Sequence, residues 1–77
     1  SELDYEQQIA SEQLVQRREE LAEVTAREKQ AARSLELSSQ ELSVTRPMVA
    51  SGAVSKVEIL RLEREVNQLR GEREQAV

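Results

Sequence analysis

From Leu3 to Thr45 the chain has neither Gly nor Pro, and its apolar positions fall into two rows. One row recurs every seven residues as Leu14, Leu21, Leu35, Leu42 and Val49, with Glu28 as its one break. The companion row is Leu3, Ala10, Arg17, Val24, Ala31, Ser38 and Thr45, and its side chains are mostly small. Two rows at this spacing form the narrow a/d stripe of a coiled-coil helix. At about 1.5 Å per residue the predicted helix is roughly 65 Å long, more than a compact domain of this size can house.

Punctuation comes once, over Arg46-Pro47-Met48-Val49-Ala50-Ser51-Gly52-Ala53-Val54-Ser55. Pro47 has no N–H for an internal helix bond, so it kinks or ends the first helix. Val49 keeps the heptad register past it, and Gly52 suits the left-handed residue that follows a helix end. We therefore expect the first helix over about residues 3–51, with a possible kink at Pro47, and a turn over about 52–54. Ser55-Lys56-Val57-Glu58 reads as a capping box, with Val54 and Ile59 at the positions of a hydrophobic staple. A second helix over about 55–77 carries the stripe Ile59, Leu62, Val66 and Leu69, continued by Arg73 and Ala76. Gly71 weakens it by about 1 kcal/mol relative to Ala without ending it.

Two narrow stripes joined by a short loop fold back on each other. The expected fold is all-α: an antiparallel two-helix coiled-coil hairpin with unequal arms. Its seam is Leu35 and Leu42 against Ile59, Leu62, Val66 and Leu69, with Leu60 beside Leu42. Residues 1 to about 24 then lack a partner within the chain, which marks a rod cut from something larger or one covered by another copy.

Composition removes most other readings. In 77 residues there is no Cys, no His, no Phe and no Trp. Disulfides, thiolate or imidazole metal sites and a His base are therefore absent. The net charge of −4 comes from 11 basic and 15 acidic residues, interspersed rather than blocked. No basic stripe with aromatics suggests nucleic acid, and no apolar run suggests a membrane span. Paired carboxylates such as Glu19/Glu20 and Glu63/Glu65 lack a pocket to shift their pKa values. They read as solvated faces with i,i+4 partners, such as Glu23 with Arg27 or Arg70 with Glu74. Ser34, Ser38 and Ser39 have no base, so nucleophilic catalysis is not expected. No Gly-rich phosphate loop is present, and neither an enzyme nor a cofactor is expected. Arg17 on the stripe reads as a side chain that buries its stem and keeps its charge wet.

The loop is less ordinary. Met48, Val49, Ala53 and Val54 put apolar side chains on the tip of a rod, where polar ones are usual. Val54 staples the second helix and Val49 closes the seam. Met48 and Ala53 are left as candidates for docking.

Residues 47–58, from Pro47 through Met48, Gly52, Val54 and Ser55 to Glu58, followed by Ile59 to Val66, resemble the hairpin tip of HlyD-type membrane fusion proteins. The matched pattern is Pro-Leu, three residues, then Gly-x-apolar-Ser-x-x-Glu. It covers about residues 42–71; over 1–41 only heptad character is shared. The resemblance implies a periplasmic adaptor subunit of a type I secretion or tripartite efflux system, anchored in the inner membrane of a Gram-negative bacterium. It implies hairpins packed side by side as a hexamer, tips docked onto a TolC-like outer-membrane channel, and an inner-membrane ABC transporter engaged through other domains. Ser55 matches the family's tip Ser, and Met48 falls where the family has Leu. The family's tip Arg position falls on Val44, with Arg46 two residues later. Met48, Ser55, Arg46, Val49 and Ala53 are thus the candidate partner-binding residues. The alternative is a plain coiled-coil scaffold or oligomerisation module, which the seam alone would produce and which needs no apolar tip.

Overall fold

The computed structural model describes every residue from Ser1 to Val77. Helix α1 spans Glu2–Thr45, a 3-10 turn follows over Arg46–Val49, and helix α2 spans Lys56–Ala76. No strand is present. The molecule is a rod measuring 77 × 15 × 12 Å.

Local chemistry sets the boundaries. Ser1 caps α1: its Oγ accepts the Asp4 N–H at 3.3 Å, and the Asp4 side chain reaches back to complete a capping box. At the other end, α-helical bonding stops at Thr45. The sequence reading carried this helix to about residue 51. The chain does keep right-handed helical dihedrals through Ala50, but as a tighter 3-10 turn. Pro47 is the reason, because it cannot donate to Ser43 and its ring crowds that carbonyl. The Arg46 N–H makes the last α-type bond, to the Leu42 carbonyl. Helix α2 begins one residue after Ser55, which is its cap and not its first turn.

The seam lies in the tip half of the rod. Leu42, Ile59, Leu62 and Val66 are buried and form one cluster, onto which Leu35, Val49 and Val54 pack. Leu62 is the most enclosed, at 1% exposure. Removing each such side chain from water is worth about 1.5–3 kcal/mol. Leu69 is half-buried, and Leu60, expected beside Leu42, stays 49% exposed on the flank. It sits one position past Ile59, so it is turned about 100° away from the seam. The heptads of the two arms align as antiparallel layers, Leu42 with Leu62, Ser38 with Val66 and Leu35 with Leu69. Ser38 is buried, and its hydroxyl has no hydrogen-bond partner.

The arms are unequal, as the heptads imply. Arg27, Gln30 and Ala31 share a shallow groove with Glu72, Gln75 and Ala76, so α2 ends beside this part of α1. Glu28, the break in the heptad row, is half-buried there, whereas every residue from Ser1 to Arg27 is exposed.

Candidate functional site

The tip is built by the backbone. Gly52 takes φ +79°, the only positive φ in the chain. It donates its N–H to the Val49 carbonyl at 3.0 Å, while the Ala53 N–H reaches the Met48 carbonyl at 3.1 Å. This pair of bonds around a left-handed Gly is the Schellman pattern, which satisfies the last carbonyls of a helical segment. The Met48 carbonyl also accepts the Val54 N–H at 3.4 Å and the Ser51 Oγ–H at 2.9 Å. One oxygen therefore ties together the whole reversal.

This motif explains the two residues left over by sequence. Schellman turns commonly carry an apolar pair at the positions that Met48 and Ala53 occupy. Their apolar character thus has a local structural use. Met48 is nevertheless 40% exposed and Ala53 is exposed, so both remain accessible at the end of the rod.

Ser55 starts α2. With φ −80° and ψ 156° it is extended, and its Oγ accepts the Glu58 N–H at 3.2 Å. Val54, just before it, packs on the cluster that contains Ile59, as a staple requires. The capping box is only half made, because the Glu58 carboxylate does not return to Ser55. Arg61 takes it instead, donating Nη2–H to Oε1 at 2.7 Å and Nε–H to Oε2 at 3.1 Å. A charge-assisted fork outcompetes a single neutral amide. The Arg61 hydrogen bond holds the Glu58 carboxyl below the ordinary carboxylate range, and the same bond pushes Arg61 upward.

Arg46 is exposed and reaches across the hairpin to Glu63, Nη1 to Oε1 at 3.4 Å. This is the one ion pair that joins the two arms. Val49 is half-buried against the core, so it belongs to the seam more than to the surface. Of the expected surface pairs, Glu23–Arg27 forms at 3.3 Å. Arg70 instead donates to Asn67 Oδ1 at 3.2 Å, one turn back. Arg17 makes no ion pair. No group of three His, Cys, Asp or Glu side chains converges as a metal site.

A long α-helical hairpin is the shape one family model describes. The model of the AprE long α-helical hairpin matches residues 1–77. The chain belongs to this family. No curated protein and no solved structure matches the chain. The AprE-type hairpin is part of membrane fusion proteins, the class that the tip motif resembled, and membership covers the heptad arm as well as the turn. An AprE-type hairpin points to an adaptor with a periplasmic location and not to an enzyme. No helix of this hairpin is long and apolar enough to cross a membrane.

Proposed function

We propose that this hairpin is the reach of a membrane fusion adaptor, and that its tip docks onto the periplasmic end of a TolC-like outer-membrane channel. The observation that carries the reading is the tip itself. Met48 and Ala53 stand exposed on a turn held by four main-chain and side-chain bonds to two carbonyls. Affinity needs a pre-organised surface, and a turn fixed by its backbone supplies one. Ser55 and Arg46 flank that surface. Ser55 is committed through Oγ to the α2 cap, and Arg46 is shared with Glu63. In the assembled adaptor, an inner-membrane transporter would be engaged through domains outside this hairpin.

Side-by-side packing of copies belongs to the same proposal. The two flanks of the rod differ. One carries Val44, Glu41 and Glu72; the other carries Leu60 and Arg70 beside the Arg46–Glu63 pair. In the antiparallel register Val44 and Leu60 stand at the same height, 64% and 49% exposed. Copies with level tips would therefore meet apolar on apolar. That is a head-to-tail contact between unlike flanks, the kind that closes into rings.

The test is binding of the hairpin to a purified TolC-type channel. Met48→Glu leaves the carbonyl that holds the turn in place and should lower affinity by about tenfold or more, as loss of a central apolar anchor does. Unchanged binding by a folded Met48→Glu variant would favour the scaffold reading, in which the tip has no partner.

A further inference from the structure

Met48 is the only sulfur-bearing residue in the chain. The sequence has no Cys, Trp or His, and its single aromatic side chain, Tyr5, lies at the opposite end of α1. The turn therefore holds the one side chain that mild two-electron oxidants attack readily. We propose that Met48 is a reversible oxidation site, and that its sulfoxide turns an apolar docking surface into one that no longer docks. The effect on docking rests on the channel reading above, whereas oxidation at this position does not.

Access is the first ground. Met48 is 40% exposed, and Pro47, Ala50, Ser51, Gly52 and Ala53 around it are exposed as well. With Tyr5 at the far end of α1, no aromatic ring packs on the sulfur. Susceptibility of a thioether follows its exposure. The reaction thus needs no opening of the fold.

The second ground is that the fold tolerates the product. Oxidation of a methionine within a core disrupts its packing. Here the side chain lies outside the buried cluster of Leu42, Ile59, Leu62 and Val66. Its residue serves the turn through the carbonyl, which accepts from Ala53, Val54 and Ser51. An oxygen added to the sulfur breaks none of these bonds and enters no packed layer. The change is confined to the surface that a partner would meet.

The oxidant is hydrogen peroxide or hypochlorous acid. The sulfur lone pair attacks the hydroxyl oxygen, so that an S–O bond forms as the O–O or O–Cl bond breaks. The transferred hydroxyl loses its proton, and the oxidant leaves as water or as chloride. Sulfur gives up two electrons and becomes a polar, chiral sulfoxide. Burying that dipole against an apolar partner without a donor is unfavourable. Methionine sulfoxide reductases, one for each epimer, restore the thioether.

The experiment treats the hairpin with hydrogen peroxide. It should gain a single oxygen atom, mapped to Met48 by mass spectrometry, as fast in buffer as in urea, with its circular dichroism unchanged. Affinity for a purified TolC-type channel should fall by about tenfold, the factor that an unpaired buried dipole costs, and should recover after treatment with both reductases. Met48→Leu should gain no oxygen at this position, and its affinity, whatever its level, should not respond to peroxide. Uptake that needs urea, or helical signal lost on oxidation, overturns the oxidation site. A sulfoxide that binds as tightly as the thioether overturns the switch. The Met48→Glu variant separates the causes: if it loses affinity and the sulfoxide does not, the switch falls alone, and if neither does, the docking reading falls with it.

Discussion

At the residue scale, the two glycines make opposite predictions. Gly71 sits inside α2 with nothing within 4 Å of where a Cβ would stand. Gly71→Ala should stabilise the hairpin by about 1 kcal/mol, read as a higher urea midpoint. Gly52 also has open space, but its φ of +79° penalises any side chain. Gly52→Ala should cost about 1–2 kcal/mol in the same titration. Ser38 makes a third case. Its buried hydroxyl has no partner, so Ser38→Ala should be stabilising, because an unmade hydrogen bond is removed along with its desolvation cost. A lowered midpoint for Ser38→Ala would mean that the hydroxyl is satisfied in solution. Glu58 gives a pH signature. Its carboxyl titrates lower when folded than when unfolded, so its contribution is present above the unfolded value of about 4.3 and is lost as pH falls through the lower folded value. The pair is exposed, so the effect is confined to the first turn of α2. Amide exchange of that turn should quicken on acidification, and Arg61→Gln should remove most of that dependence.

At the element scale, the sequence made some features plain and hid others for physical reasons. The seam was readable because burial in a two-stranded coil obeys one period, so Leu42, Ile59, Leu62 and Val66 announced themselves. Ser55 was readable because its cap depends on a side-chain oxygen three residues before the N–H that donates to it. The fate of the Glu58 carboxylate was not, because Arg61 competes with Ser55 at nearly the same reach, and only geometry ranks them. At the end of α1 the helical path runs on past Pro47 to Ala50, but its bonding tightens from α to 3-10 after Thr45. Apolar register continues through Val49, but register reports which way a side chain faces, and it is silent on whether bonds span three residues or four. The tip residues named from the sequence take different structural parts, which no residue list can show. Val49 proved to be seam, Ser55 a cap and Arg46 a strut to Glu63. Met48 and Ala53 remain the surface.

At the scale of the whole molecule, the buried cluster is confined to the tip half, with Leu62 at its centre. A core this small has little reserve. Leu62→Ala removes about 2–5 kcal/mol, comparable to the full stability of many small folds, and should leave a chain without a cooperative unfolding transition in circular dichroism. Deleting residues 1–26 should do far less. Every buried side chain lies at Ser38 or beyond, so the shortened hairpin should keep its urea midpoint at dilute concentration while losing helical signal in proportion to the deleted arm.

The Met48 carbonyl, with its three donors, has one more consequence. The oxygen belongs to the main chain and is the same for all residue types, so the bend does not depend on which side chain position 48 carries. Fold and vocabulary are thereby decoupled at this point. A photoactivatable or fluorescent amino acid at position 48 would leave the loop standing and report directly on whatever approaches it. Over generations, a lineage could rewrite position 48 to follow a changing neighbour without rebuilding the stalk beneath it.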